Sequence, residues 1–470
     1  MITITCGRNF YTYNAYHLAK AFFPGEDVRV CFDSQQTEAV ILDIGGGRLR
    51  IPEAEDKAIV DRQIYTQFRQ ISGKDLPWGL LTGVRPTKPA MTKIREGMSR
   101  DEFIAWYNSE KLVSFEKAAI AYDIAETELD ILNRVLPEES RHKSCSIYIS
   151  IPFCTSICSY CSFSLGTVER YKDRTDAYIN ALCLEIKEAA ALCRNKKITT
   201  VYIGGGTPTS LSAAQLGRVL DEVNKCFPAD SLYEFTIEAG RPDSITAEKL
   251  KIMREHGVNR ISINPQTMQQ KTLDAVGRTH SVSDVRDAFD MARSAGFENI
   301  NADLIAGLPG EDEADMEDTL NKILSLFPES LTVHALSIKR RAQMEHQYVQ
   351  GEVVRRMTDM AGKAAASAGM RPYYLYRQKN IAGNFENIGY AGRGFEGIYN
   401  ILTIEEIQSI IGIGAAAETK VVPEHAVPNP ARGGKKGSIL RCSNVKSVEG
   451  YIENVQEMIS RKRELISCSR

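Results

Sequence analysis

Apolar runs with the alternation of β-strands and segments with helical period follow one another through the middle of the chain. Six runs rich in Val and Ile are 145–151, 199–205, 233–239, 259–264, 299–307 and 330–336. Helical segments fill the gaps, at about 173–194, 212–226, 246–256, 281–295 and 313–327. Repeated β–α units with apolar strands predict a parallel sheet covered by helices.

Six β–α units favour a partial (β/α)6 barrel over a complete eight-fold one. In either arrangement we expect the active site at the carboxyl ends of the strands. The charged linker PEESRHKS (137–144) is the best candidate for a domain boundary. We therefore predict an α/β protein with three parts: an N-terminal α+β domain over 1–140, the barrel over 141–340, and a C-terminal mixed α/β extension over 341–470 that covers the substrate.

The first segment has its own pattern. ITITCG, DVRVCF and AVILDIGGGRLRI predict strands. A helix then follows Glu53 and ends before Gly73, with one face formed by Ala58, Ile59, Ile64, Phe68 and Ile71. Helices are also predicted at about 100–110, 114–136, 345–368 and 446–466. The rigid turn PWGLLTGVRPTKP carries Arg85 and Lys88, for which both an interdomain contact and an anion contact are open.

Composition narrows the class of protein. Hydrophobic residues make up 43% and charged residues 25%, which are ordinary globular values. Lys plus Arg number 58 and Asp plus Glu 60, so no net charge attracts nucleic acid or an anionic membrane. No apolar run approaches the roughly 18 residues of a membrane span, and the first residues lack a signal-peptide pattern. We expect a cytoplasmic protein whose eleven Cys are free thiols or metal ligands.

Three cysteines directly after the first barrel strand carry the strongest chemical signal. Cys154, Cys158 and Cys161 have the spacing C-x3-C-x2-C. Thiolates suit iron–sulfur clusters or zinc. A closed zinc site needs a fourth ligand, and no further Cys or His follows within the loop. Three thiolates at the active end of a barrel would leave one iron open to a chelating substrate.

Further polar and Gly-rich positions follow at the ends of later strands. The run of glycines at 204–206 ends the second strand, where glycine lets the backbone approach a ligand closely. Read alone, this run could also be a simple turn. Glu238, Gln266, Arg278 and Asp303 lie at or near the ends of the next three strands. Such positions are typical of an active-site rim.

The cysteine spacing, the GGTPT loop and the β–α repeats together resemble the radical S-adenosylmethionine superfamily. The resemblance implies a [4Fe–4S] cluster held by Cys154, Cys158 and Cys161, with the amino and carboxyl groups of S-adenosylmethionine on the open iron. It also implies reductive cleavage of the S–C5′ bond to a 5′-deoxyadenosyl radical. The protein would bind, orient and exclude water.

Finer motifs are similar to those of the oxygen-independent coproporphyrinogen III oxidase family. LTGVRPTK, PYYLYRQKN and ENIGYAGRGFEGIYN resemble its HemZ-type coproporphyrinogen dehydrogenase branch. The resemblance implies that S-adenosylmethionine is bound by Tyr148, Tyr160, Gly205, Gly206, Thr207, Glu238, Gln266, Arg278, Asp303 and Ala335. One departure is Phe163, which stands where the oxidases proper have a fourth Cys and which also occurs in the haem-chaperone branch.

The implied activity is oxidative decarboxylation of coproporphyrinogen III propionates to vinyl groups, giving protoporphyrinogen IX. An electron donor such as flavodoxin or ferredoxin is implied, and we expect a monomer that binds no nucleic acid. Two alternatives stay open: a haem-binding or haem-transfer chaperone with the same fold and cluster, and another radical-dependent tetrapyrrole modification. We expect an effect of Phe163 on substrate choice rather than on the cluster.

Candidate substrate contacts each have a simpler alternative. Lys339, Arg340, Arg341, Arg377 and Lys379 could bind propionates, or they could form solvated charge runs. Three tyrosines, at 373, 374 and 376, could stack on a macrocycle or pack in the core. His334 could be a haem ligand or an ordinary residue at the end of a strand. The remaining cysteines, at 6, 31, 145, 183, 193, 226, 442 and 468, are predicted to be unpaired thiols.

Overall fold

The computed structural model describes residues 1–337, 351–377, 386–425, 427–428, 436–437 and 439–468. It confirms the predicted α/β class, with a central parallel sheet and an additional small sheet at the amino terminus. Four candidate propionate contacts lie outside the described residues: Lys339, Arg340, Arg341 and Lys379. None of the helices in the described ranges is long and apolar enough to cross a bilayer.

The amino-terminal sheet has four strands in the order β2-β1-β3-β4 and its own apolar core. Its elements are β1 (Ile2–Cys6), α1 (Asn9–Phe22), β2 (Val28–Phe32), β3 (Val40–Ile44), β4 (Gly47–Ile51) and α2 (Lys57–Ser72). The strands were predicted, whereas α1 was not. The expected face of α2 is wrong in part, because Ile59 and Ile71, like Ala58, are exposed. Ile64 and Phe68 are buried as predicted, at four-residue spacing, and Phe68 packs on α1.

Three helices link this sheet to the rest of the molecule. They are α3 (Lys88–Arg95), α4 (Arg100–Lys111) and α5 (Phe115–Val135), and their buried side chains belong to the main core. The Arg85 guanidinium donates to the carbonyl of Glu405 at 2.6 Å and lies 3.5 Å from the carboxylate of Glu406. These contacts favour the interdomain interpretation of Arg85. The three-domain division itself stays a prediction.

The main sheet has eleven strands in the order β13-β14-β12-β11-β10-β9-β8-β5-β15-β16-β19. The six predicted strands are parallel neighbours within it, and each lies within two residues of its predicted limits. The elements of this part are β5 (Ser144–Ile151), β6 (Phe153–Cys154), β7 (Gly166–Thr167), α6 (Thr175–Leu192), β8 (Lys197–Gly205), α7 (Ala213–Cys226), β9 (Glu234–Gly240), α8 (Ala247–Glu255), β10 (Arg260–Gln266), α9 (Gln270–Ala275), α10 (Val282–Ser294), β11 (Ile300–Ala306), α11 (Glu313–Leu324) and β12 (Ser330–Ala335).

The carboxyl-terminal part adds strands to both ends of this parallel array. Its elements are α12 (Gly351–Ser367), β13 (Arg371–Arg377), β14 (Glu386–Ala391), α13 (Ile398–Glu405), β15 (Ser409–Ile413), β16 (Glu418–Val421), β17 (Val427–Pro428), β18 (Lys436–Gly437), β19 (Leu440–Ser443) and α14 (Val448–Ser467). Strand β14 pairs antiparallel with β12, and β15 pairs parallel with β5. Helix α13 therefore joins the two ends of the array.

Helix α14 packs against α6 through a buried ion pair. The ammonium of Lys462 contacts the carboxylate of Glu185, and each side chain is only 1% exposed. The same carboxylate accepts hydrogen bonds from the Tyr451 hydroxyl at 2.5 Å and from the Gly414 amide at 2.7 Å. The predicted carboxyl-terminal helix is confirmed, and this network fixes it to the barrel helix layer.

One pair of the remaining cysteines is close in space, which their sequence spacing did not predict. The sulfur atoms of Cys145 and Cys193 lie 3.4 Å apart, and both are buried free thiols. Cys145 is the second residue of β5, and Cys193 directly follows α6. Strand β5 and helix α6 run in opposite directions, so the end of α6 lies near the start of β5.

Candidate cluster and cofactor site

A cavity of about 530 Å³ lies at the carboxyl ends of the parallel strands. It brings together every residue that the resemblance implies for the cluster and cofactor. The lining includes Cys154, Cys158, Cys161, Tyr148, Tyr160, Gly205, Gly206, Thr207, Glu238, Gln266, Arg278, Asp303 and Ala335. Their residue types and shared location are consistent with one site, and their individual roles stay predictions.

The cysteine loop is held by its own backbone. Strand β6 ends at Cys154 and pairs with β7, which fixes the two ends of the loop side by side. The Cys161 amide donates to the Cys158 carbonyl at 3.0 Å, and the Thr207 hydroxyl lies 3.4 Å from the Cys154 sulfur. Burial raises the pKa of the Cys154 thiol, so binding as a thiolate requires a compensating positive charge such as iron.

The donor set fits a cluster better than a single ion. In the part of the chain that the structure describes, no group of three His, Cys, Asp or Glu side chains is placed to hold one metal ion. In a [4Fe–4S] cluster the cysteine thiolates ligate separate iron atoms, so they need not converge on one point. Three Cys on one loop at the end of a cavity fit that requirement.

Two guanidinium groups contact the middle cysteine. A nitrogen of Arg278 and a nitrogen of Arg241 each lie 3.7 Å from the Cys158 sulfur. Arg241 is buried, forms two hydrogen bonds of 3.0 Å with Asp243, and donates to the Ser156 hydroxyl at 2.8 Å. Positive charge near a thiolate stabilises its anionic form. Sequence reasoning missed Arg241, although its position immediately after β9 gave a usable signal.

The glycine loop packs directly against the cysteine loop. A side chain at Gly206 would place its Cβ 2.5 Å from the Phe153 carbonyl oxygen, so only glycine fits there. Gly205 has φ of +104°, which also favours glycine. The Thr207 amide donates to the Phe153 carbonyl at 2.7 Å. This close approach explains why the run of glycines was a reliable signal for the site.

Two carboxylates in the cavity have opposite electrostatic environments. Burial raises the pKa of Glu238 to about 7, and its carboxylate accepts a hydrogen bond of 2.6 Å from the Tyr202 hydroxyl. Burial also acts on Asp303, but the nearby His334 and a hydrogen bond from Asn301 outweigh it and lower the pKa of that carboxyl. The His334 ring nitrogen lies 3.8 Å from the Asp303 carboxylate, so His334 is an electrostatic partner within the cavity.

Gln266 has two features of a residue poised for a ligand. Its side-chain oxygen is buried and has no hydrogen-bond partner among the described residues. Its backbone has φ of +70°, a left-handed conformation that is strained for a residue other than glycine. A polar ligand in the cavity could satisfy the orphaned oxygen, which supports a bound cofactor at this end.

Some of the candidate substrate contacts line the cavity and others do not. Tyr374 and Tyr376 line the cavity, and Tyr373 is buried in the core. Arg377 does not line it, because its guanidinium donates to the Leu81 carbonyl at 2.8 Å and lies over the Trp78 ring. The interpretation of Arg377 as a propionate contact is therefore wrong.

Phe163, which stands where the oxidases proper have a fourth Cys, is 63% exposed and forms part of the cavity wall. Its backbone amide lies 3.4 Å from the Cys161 sulfur. The side chain is therefore next to the cysteine loop without belonging to the donor set.

Comparison with known proteins identifies the class. The sequence model of the Radical SAM superfamily matches residues 148–323. The solved structure of coproporphyrinogen III oxidase (HemN) from Escherichia coli, a radical SAM enzyme, aligns with a TM-score of 0.52 at 22% identity, covering 70% of this chain and 73% of that one. The fold is therefore that of the radical SAM superfamily, whose membership implies a [4Fe–4S] cluster and S-adenosylmethionine.

Curated relatives narrow the family. The chain is 39% identical over 409 residues to the oxygen-independent coproporphyrinogen-III oxidase-like protein HemZ of Bacillus subtilis, covering 85% of this chain and 79% of the relative. It is 34% identical over 320 residues to the heme chaperone HemW of the same organism, covering 66% and 76%. The chain belongs to the oxygen-independent coproporphyrinogen III oxidase family, in its HemZ-type branch.

Proposed function

We propose that the protein catalyses oxygen-independent oxidative decarboxylation of coproporphyrinogen III propionates to vinyl groups. The observation that carries the proposal is one cavity that leads from the cysteine loop, past Glu238 and Asp303, to an interior lined by polar and aromatic side chains. Such a cavity can hold a cofactor against the cluster and a substrate arm beyond it. Similarity to an oxidase-like relative over most of the chain supports the tetrapyrrole substrate.

The proposal assigns the cluster to Cys154, Cys158 and Cys161 and S-adenosylmethionine to the rest of the lining implied by the resemblance. When bound, these groups would supply an electron and a carbon radical able to abstract hydrogen from a propionate side chain. The substrate radical would then lose carbon dioxide and pass one electron to a one-electron acceptor, which leaves the vinyl group. Arg278 can pair with the methionine carboxylate, because a guanidinium matches a carboxylate in shape and charge. Glu238 and Asp303 can accept hydrogen bonds from the ammonium and hydroxyl groups of the cofactor.

Aromatic side chains enclose the reaction space. The rings of Tyr202 and Tyr399 stack with centroids 4.5 Å apart, and Tyr148 lies 6.2 Å from Tyr202. Tyr399 belongs to α13. Asn400, Thr403 and Ile404 of the same helix line the cavity, so the helix that joins both ends of the parallel array also closes this side of it. Excluding water protects reactive groups from side reactions. The tyrosines would therefore hold the substrate arm in a dry, oriented position.

The protonation of Glu238 makes cofactor affinity depend on pH. A cationic ligand binds best to the ionised carboxylate, and the pKa of Glu238 is about 7 before binding. Affinity for S-adenosylmethionine should therefore rise with pH and be about tenfold weaker at pH 6 than at pH 8. Calorimetric titration of the reconstituted protein measures this. Glu238→Gln should bind more weakly, with this pH dependence removed; an unchanged pH slope in that variant would contradict the assignment.

A haem chaperone is the second candidate function. The 34% identity to a heme chaperone and the Phe at 163 both favour it. The cavity also contains His334, an imidazole able to bind haem iron. A chaperone requires only a haem site, whereas the oxidase requires a propionate held close to the cofactor. Other radical-dependent tetrapyrrole modification is an outcome that the same assay reveals by product mass.

An anaerobic assay tests the proposal. Reconstituted protein is incubated with S-adenosylmethionine, coproporphyrinogen III and dithionite, which replaces a physiological donor such as flavodoxin or ferredoxin. We expect tricarboxylic and dicarboxylic products by mass, with methionine and 5′-deoxyadenosine formed in step. Stoichiometric haem binding with no loss of mass from the porphyrin would instead decide for the chaperone. A mass change other than loss of carboxyl groups would indicate a different tetrapyrrole reaction.

A further inference from the structure

The cavity is also lined by residues that the resemblance does not assign to the cofactor. Gln266 lies at the carboxyl end of β10, on the side of the cysteine loop, and Arg260 lies at the amino end of the same strand. Arg260 lines the cavity together with Ser262, Asn301 and Thr332. We call these four residues the cavity floor. The resemblance assigned no role to any of them.

Among the residues that the structure describes, Arg260 is a buried cation that forms no ion pair. Its residue is 2% exposed, and its guanidinium makes one hydrogen bond, of 3.0 Å, to the Ser330 hydroxyl. Its Nε has no partner in the described ranges of the chain. Two carboxylates are near enough to act on it electrostatically but form no ion pair with it. Of these, Glu234 is engaged by Thr236 and the Ile398 amide, and Asp303 by Asn301.

The other floor residues are held in place by one another. The Asn301 amide donates to the Ser262 hydroxyl at 2.8 Å, and its oxygen accepts from Thr332 at 3.1 Å. The Ser330 hydroxyl donates to the same oxygen at 3.1 Å, which connects Arg260 to this network. The floor is therefore preorganised, so a ligand would lose little energy in ordering it.

Burying a charge costs free energy unless a group of opposite charge pairs with it. Arg260 is one of the residues that line the cavity, so a ligand there can supply that charge. A carboxylate matches the guanidinium fork in shape and can accept two parallel hydrogen bonds. Coproporphyrinogen carries such carboxylates on flexible propionate arms, and an arm can enter where the whole macrocycle cannot.

We propose that the cavity floor is a carboxylate-binding site in which Arg260 receives a propionate of the tetrapyrrole. The inference rests on the proposed function for the identity of the ligand. It adds a specificity-determining residue at the amino end of β10. The site would select substrates with an ionised side chain and would orient that arm along the cavity.

Binding of coproporphyrin III, the stable oxidised form of the substrate, tests this without turnover. The titrations use the anaerobically reconstituted protein with its cluster. Binding is detected by the change in porphyrin absorbance or fluorescence. Arg260→Met should weaken coproporphyrin III binding by about 10-fold to 100-fold, as expected for a lost charge-assisted contact. Arg260→Lys should retain part of the affinity. The tetramethyl ester of coproporphyrin should bind the unaltered protein and Arg260→Met equally.

Arg377→Met is the matched control, because Arg377 is also a buried guanidinium but lies outside the cavity. It should leave coproporphyrin affinity unchanged. Arg260→Met should leave the Tm of the porphyrin-free protein unchanged or raise it, since an uncompensated charge is removed. Iron content should also be unchanged in Arg260→Met.

The outcomes separate this inference from the proposed reaction. If the unaltered protein binds coproporphyrin III and Arg260→Met binds it equally well, the floor site is refuted and the decarboxylation proposal stands. A weaker variant together with an unaltered protein that forms no vinyl product supports the floor site and refutes the reaction. Absence of porphyrin binding by the unaltered protein overturns both.

Discussion

Reconstitution of a variant with Cys154, Cys158 and Cys161 all changed to Ala should yield protein with essentially no cluster iron. The unaltered chain should retain about four iron and four sulfide per molecule under the same anaerobic conditions. The difference is expected because the three thiols lie on one loop at the cavity and provide the protein's ligands there. Iron and sulfide assays, with the visible absorbance of the cluster, measure it.

Two cysteines on the outer helices provide the control. Cys183 in α6 and Cys226 in α7 are half-buried and do not line the cavity. Changing either to Ser should leave the iron content unaltered. Full iron retention by the triple variant would show that the cluster assignment is incorrect, whereas iron loss from Cys183→Ser or Cys226→Ser would show that the assay reports general instability.

The change Glu185→Gln should destabilise the protein by about 3–5 kcal/mol. The substitution leaves the buried Lys462 ammonium without its counter-ion, and removing one partner of a buried ion pair costs that much. Tyr451 and the Gly414 amide would also lose part of their common acceptor. The loss of stability is measured as a lower denaturant concentration at which α14 detaches from the protein. Limited proteolysis detects the detachment.

A neighbouring exposed ion pair gives the comparison. Arg463 and Glu188 lie 3.0 Å apart, with side chains 58% and 36% exposed. Arg463→Ala should cost less than about 1 kcal/mol, because solvent screens such a pair. The double change Glu185→Leu with Lys462→Met should recover much of the loss, since it removes both buried charges. Equal effects of Glu185→Gln and Arg463→Ala would contradict a structural role for the buried pair.

The barrel strands could be predicted because each combines a dense β-branched run with a turn signal at its end. The cysteine spacing and the glycine run were equally clear, since both are local in sequence. Helix α1 was missed because its tyrosines and phenylalanines also suit strands, and its first residue lacks a side-chain cap. The pairing of β15 with β5 could not be predicted from local patterns, because it depends on how the whole sheet closes.

Arg260 and Arg241 show that local sequence patterns also could not predict contacts between different strands and loops within the site. Alternation along β10 indicates that Arg260 shares a face with Ser262, but it does not tell which face encloses the cavity. Nor could any local pattern reveal that Arg260 forms no ion pair within the described ranges, since its potential partners come from other strands. Arg241 contacts Cys158 only because the loop after β9 packs on the cysteine loop.

During synthesis on the ribosome, β5 emerges long before β15, because more than half of the chain separates Cys145 from its partner Ser409. Until then, one edge of the nascent sheet has backbone amides and carbonyls without strand partners, which favours association with other chains. The tract with the cluster and cofactor residues therefore keeps an unpaired strand edge until β15 has been made. Helix α13 leads directly into β15, the strand that pairs with this edge. The fold can therefore be completed only after the last quarter of the polypeptide has been translated.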